Sequence, residues 1–318
     1  MRRYPLYSAS LALYGGAAAP YYLDEANGWS LSPAELERAH AAAVAAGKRV
    51  RGLAVINPGN PTGASLSADD IRGVLSFAAK HKLVVLADEV YQGNVWSAAR
   101  PFVSFRSVAI AAGLVDARRT DANAGVQLAS FHSTSKGFTG ECGRRGGYVE
   151  LLGFAPAVRA ELYKLASISL CANVGGQVMV GLMTNPPRPG DASHAGYAAE
   201  RDAILASLRR RAAKLAAALG GLRGLACAAP EGALYIFPAI ALPPRAIAAA
   251  AAAGKAPDAY YCMRLLDATG VVVVPGSGFG QAPGTHHFRS TILPPEHDLD
   301  RVIAAFRDFH TKFMDEFE

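Results

Sequence analysis

Apolar positions change their period along the chain, and the changes mark its elements. Gly52 to Ile56 (GLAVI) is a short apolar run closed by the turn-rich stretch NPGNPTGAS, the pattern of a buried strand. Beyond it, Ile71, Val74, Leu75 and Ala78 fall on one helical face. Ser67, three residues ahead of Asp70, predicts a capping box at that helix's start. Leu83 to Ala87 (LVVLA) reads as a second strand ending at DEVYQ, and VQLASFHS as a third, ending at a loop around Lys136. Strand, helix, strand in this order predicts an α/β fold with a parallel sheet. Ligands of such sheets bind beyond the carboxyl ends of the strands. The clusters NPGNPTG, DEVYQ and HSTSK each follow a strand and are therefore expected to converge on one site.

The second half has a different pattern. After the proline-rich break NPPRPGD, residues His194 to Leu219 read as one long helix. The break predicts a large domain over 1–190 and a smaller one over 191–318. EGALYIFPAI, a helix around Tyr260 to Ala268, a strand VVVVP, a strand HHFRSTIL and a terminal helix from Glu296 complete the chain. GSGFG, near Gly276, lacks the G-x-G-x-x-G spacing of a dinucleotide fingerprint and reads as a turn. The low-complexity run Ala246 to Ala253 receives no role.

Composition narrows the classes. With 318 residues, 51% hydrophobic and 18% charged, the chain suits a soluble protein with a substantial core. It has no apolar run long enough for a transmembrane helix, and its N-terminus lacks the apolar core of a signal peptide. Its four cysteines are far apart with no C-x-x-C pair, which suits reduced thiols inside a cell, cytoplasmic or organellar, better than a disulfide framework or a zinc site. Cys142 reads as a packed thiol. The net charge of +6 is scattered, so it argues against nucleic acid and suits an anionic cofactor or substrate.

The chemistry concentrates in FHSTSKGFTGECGRRGG, residues 131–147. A lysine amine that condenses with an aldehyde to a Schiff base is what a pyridoxal phosphate enzyme needs. It also needs an acid partner for the ring nitrogen and a cradle for the phosphate. Ser133, Ser135 and the arginines after Lys136 are candidates for the phosphate, and Asp88, closing LVVLA, for the ring nitrogen. Each residue alone has a plainer reading: a surface lysine, a solvated strand end, an ion-pair arginine.

Taken in order, INPGNPTG, LADEVYQ, HSTSKGFTGECGRRGG, LMTNPPRPGD, PGSGFGQ and HHFRSTILPP resemble the alanine aminotransferase group of the fold type I, pyridoxal phosphate-dependent aminotransferases, over essentially the whole chain. The resemblance implies a mainly parallel large domain, a smaller α+β C-terminal domain and a homodimer. It implies that Lys136 carries pyridoxal phosphate and shuttles the substrate α-proton, and that Asp88 partners the ring nitrogen. It makes Asn60 and Tyr91 the partners of the ring hydroxyl oxygen, Ser133 and Arg145 ligands of the phosphate, and Tyr4 the residue stacked on the ring. Arg289 matches the arginine that grips the substrate α-carboxylate.

Against the family pattern the chain begins late: no glycine-rich G-A-S phosphate loop occurs upstream of Asn60, and Met1 to Arg3 replace the usual P-Q before the stacking tyrosine. The resemblance then implies weakened cofactor binding. The expected activity is exchange of an amino group between L-alanine and 2-oxoglutarate. The alternatives are glutamate:glyoxylate exchange and a non-catalytic remnant that binds cofactor weakly or pairs with a longer relative. A regulator with an aminotransferase-like domain would need a helix-turn-helix module, for which the sequence has no room.

Overall fold

The computed structural model describes residues 4–115 and 125–318. Met1 to Arg3, and their departure from the family pattern, lie outside the described residues. The chain forms two compact units. One comprises Ser30–Gly59 and Ser65–Leu205; the other comprises Met1–Trp29, Asn60–Ala64 and Ala206–Glu318.

The second of these units opens with α1 (Pro5–Leu13), which buries none of its residues. The sheet-bearing unit follows with α2 (Pro33–Ala45), β1 (Gly52–Ile56), α3 (Ala68–Lys80), β2 (Val84–Asp88), α4 (Phe105–Ala111) and β3 (Gln127–Ser133). It continues through β4 (Gly147–Leu152), α5 (Pro156–Ser167), α6 (Val174–Thr184) and the start of α7 (His194–Gly220). The sheet order is β1-β2-β3-β4, the first three strands parallel and β4 antiparallel on β3.

α3 shows why these segments form where they do. Ser67 Oγ accepts from the Asp70 N–H at 3.1 Å, and Asp70 Oδ2 accepts from the Ser67 N–H at 2.9 Å, so two donors that the first turn leaves open are satisfied. Ile71, Val74, Leu75, Phe77 and Ala78 are then buried on one face. On the sheet, Val85, Ala87 and Leu128 are fully covered. β4 is different: Tyr148 and Val149 are exposed, α5 buries no residue and α6 buries only Gly176. Leu165, Ile168, Leu170 and Val174 therefore leave a broad apolar surface on these elements.

The other unit adds β5 (Leu225–Ala226), β6 (Tyr235–Ile236), β7 (Ala239–Ile240), α8 (Pro244–Ala252), α9 (Pro257–Thr269), β8 (Val274–Pro275), β9 (Phe288–Thr291) and α10 (Glu296–Phe317). β9 is flanked by β6 and β8, both antiparallel to it. Tyr261 of α9 sits among Phe288, Phe309 and Phe313, with its hydroxyl 2.8 Å from His310 Nδ1. His310 Nε2 lies 2.7 Å from the Arg223 carbonyl, so the ring donates there and accepts at Nδ1. Burial lowers the His310 pKa, which agrees with this neutral ring. Two details correct the sequence reading. VVVVP is a strand only at Val274–Pro275; at its start the Val271 N–H is taken by Thr269 Oγ1 rather than by a neighbouring strand. The alanine run lies largely in α8, where Ala246 and Ala250 are buried.

Candidate active site

Register aligns the carboxyl ends of the three parallel strands. Ile56 lies opposite Asp88, and Asp88 opposite Phe131. The ladder runs one step further, with the Asn57 N–H on the Asp88 carbonyl and the Glu89 N–H on the Phe131 carbonyl, both at 3.0 Å. Chain leaving β2 and β3 thus starts from neighbouring points, which puts Asp88, Tyr91, Ser133 and Lys136 at one edge of one sheet.

Beyond β3 the loop is held by its own small residues. Ser133 Oγ accepts from the Ser135 N–H at 3.2 Å, which leaves its own proton free to donate. Thr134, fully buried, takes the Gly146 carbonyl with both its N–H and its hydroxyl. Thr139 Oγ1 donates to the Lys136 carbonyl at 3.0 Å. The half-buried Lys136 places Nζ 5.8 Å from the centroid of the Tyr91 ring, itself 3% exposed. The glycines of GRRGG serve close approach: a Cβ on Gly146 would meet the Gly176 carbonyl oxygen at 2.6 Å, and one on Gly147 the His132 carbonyl oxygen at 2.8 Å. Asn173, the N-cap of α6, donates to the Arg144 carbonyl at 2.7 Å and completes the seam.

Arg145 is exposed, with φ at 53°, and its Nη1 donates to the Cys142 carbonyl at 2.8 Å. The same nitrogen lies 3.4 Å from Cys142 Sγ, and this thiol is exposed rather than packed, because its short 3-10 turn buries nothing.

Two further residues stand beside this edge: Glu89, which the sequence reads as a solvated strand end, and Asn94, which it does not single out. Glu89 is 6% exposed and accepts from the Phe105 N–H, at the start of α4, at 2.8 Å. Burial pushes its carboxyl up to about 7 despite that bond. Asn94 is fully buried and bonded to Gly137, beside the lysine. The only signal for either in the sequence is its place within DEVYQGN.

In the other unit, Arg289 of β9 donates through Nη1 to Asn60 Oδ1 at 2.9 Å. Its guanidinium lies 4.3 Å from the Tyr235 ring centroid and 5.0 Å from that of Phe279, so aromatic faces fix its plane. Its Nε is buried without a hydrogen-bond partner, an open donor of the kind a carboxylate satisfies. Gly63, at φ 72°, allows the turn after Asn60: a Cβ there would meet the Tyr235 carbonyl oxygen at 2.8 Å. Tyr4 is exposed, with the Tyr7 ring edge-on to it at 6.4 Å, so it is not a core residue.

This unit also holds a cavity of about 290 Å³ lined in part by Glu25, Trp29, Phe237, Gln281 and His287. None of the candidate residues lines it. His287 there stacks on Phe237 at 4.8 Å and lies between Glu25, 3.1 Å from Nε2, and Gln281 Oε1, 3.0 Å from Nδ1. Among the described residues no cluster could hold a metal ion, and no helix is long and apolar enough to cross a membrane.

Within the sheet-bearing unit the donor set fits pyridoxal phosphate: an amine, a carboxylate and a phenol at one sheet edge, with a hydroxyl proton at Ser133 available to donate. The fold is that of the fold type I aminotransferases; a structure of alanine aminotransferase from Pyrococcus furiosus superposes with a TM-score of 0.76 at 25% identity, covering 98% of this chain and 68% of that one. The chain belongs to the aminotransferase class I and II family, matching it over residues 3–306. It is 52% identical over 315 residues to mitochondrial alanine aminotransferase 2 of Arabidopsis thaliana, covering 99% of this chain and 57% of that protein. Glutamate--glyoxylate aminotransferase 1 of the same plant is 47% identical over 316 residues, covering 99% and 64%. The chain thus spans less than two thirds of the length of these curated relatives.

Proposed function

We propose that the chain is a pyridoxal phosphate-dependent transaminase that exchanges the amino group of L-alanine with 2-oxoglutarate, giving pyruvate and L-glutamate. The observation that carries this reading is the placement of Lys136 against Tyr91 at the carboxyl edge of the parallel sheet, in a chain about half identical to alanine aminotransferases. When bound, the cofactor supplies an aldehyde for an amine and a cationic ring that takes up the electron pair left at the substrate α-carbon.

The protein's own groups divide the remaining work. Lys136 offers the amine that holds the cofactor, then moves a proton to and from the substrate α-carbon. Asp88 keeps the ring nitrogen protonated. Tyr91 and Asn60 donate to the ring hydroxyl oxygen; Asn60 retains its Nδ2 for this while its Oδ1 serves Arg289. Ser133 donates to the phosphate, joined by Arg145 once its guanidinium leaves the Cys142 carbonyl. Arg289 takes the substrate α-carboxylate in a bidentate pair, and Tyr4 stacks on the ring. In this reading residues 1–190 form the cofactor-binding domain, 191–318 the smaller domain, and the working protein is a homodimer. Its four free cysteines suit an intracellular compartment.

The test is cofactor titration of the purified chain, followed by assay with alanine plus 2-oxoglutarate and with glutamate plus glyoxylate. Borohydride reduction and peptide mapping should find the pyridoxyl group on Lys136. Faster turnover of the glyoxylate pair would transfer the reading to the second group of relatives. Cofactor bound with no turnover would leave a binding remnant.

A further inference from the structure

Asn94 is a buried polar side chain with one partner residue. Its Nδ2 donates to the Gly137 carbonyl at 3.2 Å, and its Oδ1 accepts from the Gly137 N–H at 2.9 Å. One carboxamide thus satisfies both polar groups of the residue directly after Lys136. Gly137 sits at φ 73°, in the left-handed region that a side chain strains to adopt, so the chain reverses there at little cost. The Asn94 N–H in turn bonds the Tyr91 carbonyl at 2.8 Å, closing the turn that carries the ring beside Nζ.

We propose that Asn94 is a positioning residue for Lys136, its carboxamide locking the lysine loop to the turn that supplies Tyr91. The loop's other bonds run within the segment or to Gly146 and hold its shape. The Asn94 pair is what ties that shape to the end of β2. Asn94 is fully buried and both bonds are partly buried; their loss would leave the Gly137 N–H and carbonyl without this partner, so the lock resists drift of the amine away from Tyr91. This inference rests on Lys136 being the cofactor lysine.

The experiment uses the full chain as wild type, Asn94→Ala and Asn94→Asp, each incubated with pyridoxal phosphate, reduced with borohydride and mapped. The readout is the initial labelling rate of Lys136 relative to that of Lys164, an exposed lysine on the same chain. We expect this ratio to fall about tenfold in Asn94→Ala at a temperature where circular dichroism is unchanged, as loss of two hydrogen bonds implies. Asn94→Asp keeps the acceptor for the Gly137 N–H but loses the donor to its carbonyl, and its ratio should fall between the other two. An unchanged ratio in folded variants overturns the inference and leaves the function standing. A second measurement needs no variant: the Gly137 amide of the wild type should exchange as slowly as amides of β3, and fast exchange there overturns the lock. If wild-type label avoids Lys136 altogether, the functional reading falls and the inference with it.

Discussion

Arg289 and Asn60, far apart in sequence, share a hydrogen bond of 2.9 Å from Nη1 to Oδ1. This contact orients the amide: with Oδ1 committed to the guanidinium, Nδ2 is the face Asn60 has left to offer. It also uses one end of the arginine while the buried Nε stays open. The two residues therefore act as a unit, and changing either should be felt through the other.

Arg289→Lys should weaken 2-oxoglutarate binding at least tenfold, because an ammonium cannot reproduce the planar fork or its stacking on Tyr235. Asn60→Ala should weaken it less, and the double variant should cost less than the sum of the two. Calorimetric titration of the cofactor-loaded chain measures all three. Equal affinity in Arg289→Lys would remove the arginine from the substrate site.

Glu89 should give the protein a pH-dependent stability. Its folded pKa of about 7 stands above the 4.5 of an unperturbed glutamate, so the folded state holds the proton more tightly. The contribution is complete below pH 4.5 and is lost as pH rises through about 7. At 1.36 kcal/mol per pKa unit the loss is about 3 kcal/mol. Glu89→Gln keeps an acceptor for the Phe105 N–H and does not titrate. Relative to wild type it should gain about that amount between pH 4.5 and 8 in urea unfolding. A difference that stays constant with pH would refute the assignment.

Ser67→Ala removes one half of the capping box on α3 and should cost about 1 kcal/mol, lowering the urea midpoint with an unchanged slope. No change in midpoint would mean that water replaces the cap.

Gly146→Ala drives a methyl group toward the Gly176 carbonyl oxygen, backbone that cannot swing aside. It should destabilise the chain by about 1 to 3 kcal/mol. Gly143→Ala, where a Cβ meets nothing within 4 Å, is the control expected to be near neutral. Equal stability of the two variants would show that the seam between the lysine loop and α6 is slack.

The strands over GLAVI, LVVLA and VQLASFHS were legible because apolar runs between turn residues have few other readings. The capping box was legible because its two bonds are local. What stayed hidden was non-local. β4 could not be seen as an antiparallel neighbour of β3, since the direction of Gly147 to Leu152 is decided only by pairing. Glu89 looked like a solvated strand end because nothing in DEVYQ says which of two adjacent carboxylates turns inward. Asn94 was passed over because its partner lies 43 positions away and is backbone, which leaves no side-chain signature. Lys136, Asp88 and Tyr91 were named through the order of motifs, while the bonds that set their loops emerge only from the folded chain.

The parallel register of β1, β2 and β3 has a consequence for how the protein folds. Parallel neighbours are joined by crossovers, so the partners Ile56, Asp88 and Phe131 meet only after long loops have closed, and such contacts form slowly. Because β2 and β3 pair in parallel, their pairing needs a crossover rather than a hairpin to bring Asp88 toward Lys136. The groups at the sheet edge are then expected to come together late, with the pairing of β1, β2 and β3. Uptake of cofactor on Lys136 would accordingly follow sheet closure during refolding, and its time course would report the last step of the chain's assembly.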